Sequence, residues 1–232
     1  MFKSHNFVYN NINYNFEYNE NDPSGMGCIN EIVIRNEYNL ENYINHVNKI
    51  FIDIGANCGV VTIILAKQNP LSKIYSFEPD KQLYEILNNN ISINKLTNVV
   101  TFNKAVTKEG IDKLELCLHP FYSGGNTTYS NTHNLNSYFH TTINTYSVDC
   151  ISLDKIINDN DITEIELLKI DCEGAEYDII YDSKLLRNNI INNMVGEFHN
   201  LRYNITNHTA EELIHYCKPF IKNIFQIGVL DI

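Results

Sequence analysis

The stretch "IFIDIGANCG", Ile50–Gly59, decides the fold. An apolar run ends in Asp53 and gives way to a turn carrying Gly55 and Gly59. Such a run, closed by a glycine turn, reads as a buried parallel strand feeding a helix, and open α/β sheets bind their ligands at that edge. Gly55 and Gly59 let the backbone approach a ligand closely, and the following helix offers free N–H groups. The spacing is DxGxNxG rather than the GxGxxG of dinucleotide sites, where an acid at the strand end would repel a pyrophosphate. S-Adenosylmethionine (AdoMet) carries a sulfonium and an ammonium, and an acidic strand end suits both.

The next strand supplies a second test. "YSFEP" places Glu78 roughly 20 residues beyond the glycine turn, where a carboxylate accepts hydrogen bonds from both hydroxyls of a ribose. That acid alone does not separate AdoMet from a nicotinamide dinucleotide, but with Asp53 it favours AdoMet.

Outward from this point, strands and helices alternate. Strands are expected at Lys49–Ile54, Lys73–Phe77, Val99–Asn103, Leu114–Leu118, Asn144–Val148, Glu166–Ile170 and Met194–Phe198. Helices are expected at Val60–Gln68, at Ser152–Asn158, at His208–Lys218, and from Pro79, with Leu83, Ile86, Leu87 and Ile91 at helical spacing. The fold class is therefore α/β, a doubly wound, mostly parallel sheet with helices on both faces. Ahead of it, Ile12, Tyr14, Phe16 and Tyr18 alternate with polar residues as a half-buried strand does, and "INEIVIR" reads as a short strand or a helix start. Residues 1–48 are assigned to an N-terminal cap or decoration and 49–232 to the main domain. A terminal strand or hairpin closes the chain.

These blocks resemble the FkbM-type AdoMet-dependent methyltransferases. "FIDIGANCGVVT", "YSFEPD", "NKAV", "LLKIDCEGAEYDII" and "VGEFHN" carry the resemblance over roughly Phe51 to Asn200, with "KIDCEGAE" the most specific. It implies the class I methyltransferase (Rossmann-like) sheet of seven strands with the last antiparallel. It implies methyl transfer from AdoMet, usually to a hydroxyl of a sugar or other small metabolite. It makes Asp53, Gly55, Asn57 and Gly59 the methionine-end and turn contacts and Glu78 the ribose acid. Asn103 to Val106, Ala105 among them, would flank the adenine, and Glu31 resembles an acid near the donor.

A sugar hydroxyl is a poor nucleophile and gains from a general base or from a metal that acidifies it. Asp171 follows one expected strand, and Glu197 and His199 end the next. Alternate strand residues share a face, so Asp171, Glu197 and His199 are expected to converge on one pocket as the catalytic set. In one reading His199 or Asp171 takes the proton. In the other, Asp171, Glu197 and His199 hold Mg²⁺ or another divalent ion. Glu173 is a candidate substrate contact, while Glu176 is equally a helix N-terminal acid.

The polar segment 119–142 is long for a connection and reads as a lid. In it Tyr122, Tyr129 and Tyr138 would stack on sugars, Asn126 would bond hydroxyls, and Gly124–Gly125 would hinge. His119, His133 and His140 are expected as exposed loop histidines.

Composition sets outer limits. The net charge of -11, with 17 Lys+Arg against 28 Asp+Glu, points away from nucleic-acid partners. The six cysteines show no metal-ligand spacing and are expected as free thiols. No signal-peptide h-region and no membrane-length apolar run is present, which leads to a soluble, cytoplasmic expectation. Asparagine, roughly one residue in six, reads as compositional drift. The expected activity is O-methylation of a sugar, glycan or glycosylated small molecule by an AdoMet-dependent methyltransferase, with a homodimer as one oligomeric option. N-methylation of an amino sugar, a nicotinamide-dependent oxidoreductase and a non-catalytic Rossmann-like binding protein stay open as alternatives.

Overall fold

A computed structural model describes residues 1–128, 139–200 and 208–227. Its centre is a six-stranded sheet, every neighbouring pair parallel. In chain order its strands are β3 (Ile50–Ile54), β4 (Lys73–Phe77), β5 (Val99–Phe102), β9 (Ile165–Ile170), β10 (Ile191–Glu197) and β11 (Asn223–Ile227), arranged β11-β10-β9-β3-β4-β5. The order reverses between β3 and β9, so a crevice opens there at the strands' C-terminal ends. A smaller three-stranded sheet, β6 (Ala105–Thr107), β8 (Thr145–Ser152) and β7 (Lys113–Cys117), extends beyond it.

Strand periodicity sorts the apolar residues onto two faces. Ile52, Ile54, Leu168, Ile170 and Met194 pack with Leu153, Ile156, Tyr177, Ile180 and Leu213. These last five come from α4 (Leu153–Asp159), α5 (Glu176–Asp182) and α6 (Ala210–Cys217). Phe51, Leu167 and Val195 face the other way, against Ile63 and Ile64 of α2 (Val60–Gln68) and Leu83 and Ile86 of α3 (Lys81–Ile93). Helices thus cover both faces, as expected. α2 is buried nearly all round, whereas α3 keeps a polar face and is capped by the side chain of Asp80, one residue beyond Pro79.

The N-terminus forms an antiparallel hairpin, β1 (Phe2–Tyr9) with β2 (Ile12–Asn19). Tyr14 and Phe16 enter the cluster around α2. Asn90 on α3 accepts the Glu17 N–H at 2.7 Å and donates to the Glu17 carbonyl at 2.9 Å; Asn94 does the same for Asn15, at 3.2 and 2.6 Å. Two helix amides thereby stand in for a neighbouring strand, which saves the backbone of β2 from being left unpaired. The hairpin lies on α2 and α3. The part of the N-terminal region that reaches the crevice is the following helix, α1 (Ser24–Ile29), which continues as a π-helical turn over Asn30–Ile34. "INEIVIR" is therefore helical.

Asparagine has a structural use throughout. Among the described residues, most non-glycine positions with positive φ are asparagines, such as Asn10, Asn36, Asn39, Asn48 and Asn57. Its short amide tolerates the left-handed conformation that tight turns need. The six cysteines are free. β11 pairs directly and in parallel with β10, and no antiparallel seventh strand occurs among the described residues. Among the same residues no helix is long and apolar enough to cross a membrane.

Candidate active site

A cavity of about 600 Å³ occupies the crevice at the C-terminal edge of β3, β4, β9 and β10. On one side it is bounded by the glycine turn and β4: Gly55, Ala56, Asn57, Phe77, Glu78 and Leu83, with Lys104, Ala105 and Val106 beyond. Glu31, Arg35, Glu37, Tyr38, Asp171, Glu173 and Glu197 bound the other side.

The turn is shaped by close approach. Gly55 has φ +76°, and a Cβ there would lie 1.8 Å from the Asp171 carbonyl oxygen, so only glycine lets β3 and β9 close up. Asn57 is also left-handed, its Oδ1 accepting from the Cys58 N–H at 2.7 Å. Glu78 is buried at the end of β4. Its Oε2 accepts from the Asn57 N–H at 2.7 Å and its Oε1 from the Asp80 N–H at 2.8 Å. Burial pushes this carboxyl up to about 8, against the pull of those two N–H groups. A tight glycine turn on the cavity wall, with the buried Glu78 carboxyl beside it, fits an adenosyl donor.

Three donor-side residues named from sequence lie behind the cavity wall. Asp53 is fully buried; its Oδ2 accepts from the Thr62 hydroxyl at 2.6 Å, and its Oδ1 lies 3.3 Å from Lys169 Nζ. Its charge is thus balanced inside the protein, and the idea that it faces a sulfonium does not match this position. Gly59, φ +93°, is the N-cap of α2 and lies against Leu87. Asn103 donates to the carbonyls of Glu78 and Pro79, each at 2.9 Å, and braces the turn that carries the acid.

Lys169 escaped the sequence reading, although a lysine inside the apolar strand "IELLKI" is a visible anomaly. Its Nζ donates to the carbonyls of Gly55 at 2.6 Å and Ile54 at 3.2 Å, and sits 3.9 Å from Asp171. Burial alone would lower its pKa, but the charges of Asp53 and Asp171 prevail and hold it above its usual value. Tyr38, also unforeseen, is buried and donates its hydroxyl to Asp171 Oδ2 at 2.7 Å.

On the acceptor side, β10 ends at Glu197, so strand alternation does not continue to His199. Glu197 faces the cavity; His199 is fully buried behind Glu173. Its Nδ1 lies 3.2 Å from Glu176 Oε1 and its Nε2 3.4 Å from Glu173 Oε2. Burial works against its charge, but the hydrogen bond to Glu176 and the charges of Glu176 and Glu173 push it up to about 10. The two flanking carboxylates thus favour its charged form. The expected convergence of Asp171, Glu197 and His199 becomes a grouping of Asp171, Glu173 and His199, whose ligand-type atoms lie within 4.8 Å of one another. Glu173 takes a left-handed backbone, φ +53°, a strained state for a side chain held at a site. Burial pushes it up to about 8, with His199 pulling down and Asp171 up. Burial, and then Asp171, raise Glu197 to about 7.

Of the polar segment, residues 119–128 and 139–142 are described. Asn126 donates to Asp80 Oδ2 at 3.0 Å, which sets it beside the donor end of the cavity, with Tyr122 also on the wall. The Gly124 N–H donates to Ser24 Oγ at 2.7 Å, pinning the expected hinge to α1. His119 is half-buried rather than exposed, its Nδ1 accepting from the N–H groups of Phe121 and Tyr122, whereas His140 is exposed as expected. Tyr129, His133 and Tyr138 lie outside the described residues.

Residues 53–221 match the methyltransferase FkbM domain family. Methyltransferase 1 of Beauveria bassiana (strain ARSEF 2860) is 24% identical over 162 residues, 65% of this chain and 64% of that protein. Methyltransferase sdnD of Sordaria araneosa is 23% identical over 155 residues, 57% of this chain and 60% of that protein. The chain thus matches less than two thirds of the length of either relative. The crystal structure of M. jannaschii TYW2 in complex with AdoMet aligns with a TM-score of 0.31 at 18% identity, over 51% of this chain and 53% of that one, too distant to bear on the site.

Proposed function

Since the chain belongs to the FkbM methyltransferase family, we propose that it transfers the methyl group of AdoMet to a hydroxyl of a sugar or glycosylated small molecule. The observation that carries this reading is the pairing, across one cavity, of the Gly55–Glu78 cradle with the Glu197 carboxylate. The donor supplies an activated methyl on a sulfonium leaving group. Gly55, Ala56 and Asn57 receive its amino-acid end, Glu78 its ribose hydroxyls, and Ala105 and Val106 one face of its base. Residues 1–48 act as the cap that brings Glu31, Arg35 and Tyr38 to the acceptor side.

Glu197 is the general base. Its pKa near 7 keeps it half ionised at neutral pH while leaving it basic enough to take the proton of a hydroxyl as that oxygen attacks carbon. Asp171, fixed by Tyr38, orients the hydroxyl, and the His199 imidazolium positions Glu173 and Glu176. Tyr122 and Asn126 border the donor end of the same cavity. A neutral amine acceptor would need the base less than a hydroxyl does. O-methylation is therefore the reading that uses Glu197.

A divalent ion belongs to a second reading. His199 Nε2 is buried with no hydrogen-bond partner among the described residues and points toward Glu173. With its proton displaced, Nε2 could join Asp171 and Glu173 on a cation while Nδ1 stays bonded to Glu176, a familiar carboxylate–histidine–metal arrangement. Methyl transfer from labelled AdoMet to a panel of simple glycosides, with EDTA and with added Mg²⁺ or Mn²⁺, tests both readings. Transfer that survives chelation supports the Glu197 base alone, and transfer that needs the ion supports the second. Labelling of amino sugars but of no hydroxyl-only glycoside would contradict O-methylation.

A further inference from the structure

We propose that a second cavity, bounded by Tyr38, Asn42, Tyr43, Asn193, Asn223 and Phe225, is a binding site for a neutral carbohydrate. As the place of the acceptor's remote end, it rests on the carbohydrate reading above. The cavity measures about 600 Å³ and lies under the segment that carries Tyr38, near the starts of β10 and β11. Nothing in the transfer chemistry uses it.

Its walls suit a polyhydroxylated ligand. Asn223 Nδ2 donates to Asn193 Oδ1 at 2.9 Å, and Asn193 Nδ2 donates to the Glu166 carbonyl at 2.7 Å. Lys222 Nζ donates to Asn192 Oδ1 at 3.0 Å. Glu164 and Glu166 take both N–H groups of Asn192 and of Asn193, which leaves their carbonyl oxygens a further acceptor site, while Asn223 keeps one N–H and its carbonyl oxygen for hydroxyls. The side chains of Asn39 and Asn42, on the facing wall, make no hydrogen bond among the described residues. Phe225 is 43% exposed and Tyr43 half-buried, offering aromatic faces to the C–H side of a sugar ring. Lining charge is one lysine, Lys222, and one acid, Glu166, the latter already paired with Lys49 at 3.3 Å. A phosphate or other polyanion calls for clustered cations, which this wall lacks.

Position links the cavity to the transfer site. Asn193 and Glu197 share a face of β10, four residues apart, which is about 13 Å. On β11, Phe225 and Ile227 share a face two residues apart, beside Val195 and Glu197, with Ile227 on the wall of the transfer cavity. Tyr38 borders both cavities. An acceptor longer than one sugar ring, its reacting hydroxyl at Glu197, would extend along these strands toward Phe225.

Saturation-transfer NMR on the full chain loaded with S-adenosylhomocysteine tests this, with maltotriose, cellotriose and triacetylchitotriose as probes. Wild type is expected to bind at least one of them. Phe225→Ala and Asn42→Ala, both at exposed positions, should weaken that binding at least tenfold while leaving S-adenosylhomocysteine affinity and melting temperature unchanged. Glu197→Gln should keep trisaccharide binding. Wild-type affinity in both cleft variants would overturn the proposal, as would the absence of binding by all three probes. Loss of binding in Glu197→Gln with none in Phe225→Ala would overturn it too, yet leave carbohydrate methylation standing. Glycoside methylation without trisaccharide binding would likewise sink the cleft alone.

Discussion

The Tyr38 hydroxyl donates to Asp171 Oδ2 at 2.7 Å, joining the N-terminal region to the C-terminal edge of the sheet across 133 residues of sequence. Asp171 Oδ2 is also 3.9 Å from Lys169 Nζ, beyond hydrogen-bond reach, so one hydrogen bond and one neighbouring charge hold this carboxylate. Tyr38→Phe keeps the ring and removes the hydrogen bond. It should lower turnover about tenfold, cost about 1 kcal/mol of stability, and leave S-adenosylhomocysteine affinity within twofold. Steady-state kinetics beside calorimetry reads all three. An unchanged kcat would remove Tyr38 from the site.

Lys169 and Asp53 form an ion pair with almost no solvent contact, at 3.3 Å. Lys169→Met strands the buried Asp53 charge with Thr62 as its remaining hydrogen-bond donor, and breaking such a pair costs about 3–5 kcal/mol. Lys169→Met with Asp53→Asn removes both charges and should recover a large part of that loss in urea unfolding. Equal destabilisation of the single and double variants would mean that the carbonyl bonds of Lys169, and not the pair, hold the strands.

Glu197 should set the pH dependence of transfer. Its pKa is raised to about 7 by burial and by Asp171, with Glu31 and Glu37 adding and His199 opposing. A base works when ionised, so kcat/KM should be low at pH 5.5, rise through about 7 and level off above 8. In the folded state a raised carboxyl favours its protonated form. The same group therefore contributes stability below the unfolded value near 4.5 that is lost as pH rises through about 7. Glu197→Gln should abolish the acid limb of the rate profile and lower kcat by about a hundredfold. A profile that keeps its limb in this variant would assign the base elsewhere.

Much of this architecture is legible in the chain itself. The glycine turn, Glu78 and the β4–α3 boundary follow from local pattern, because a buried strand, a tight turn and a capped helix each leave short-range signals. The Asp53–Lys169 pair does not, since its partners come from strands far apart in sequence and meet through sheet register. Tyr38 has no local signal at all. Strand alternation extended past Glu197 puts His199 in the pocket, but the strand stops at Glu197. The asparagines looked like drift, yet Asn90 and Asn94 hold the hairpin and Asn57 shapes the turn.

The Ile50–Gly59 turn and Glu78 are proposed to form an adenosyl-donor site. Calorimetric titration with S-adenosylhomocysteine, wild type beside Glu78→Ala, tests it most directly. One site per chain is expected in the wild type, with no comparable binding of NAD(H) and at least tenfold weaker binding in the variant. Equal affinity in both proteins, or a preference for NAD(H), would contradict it.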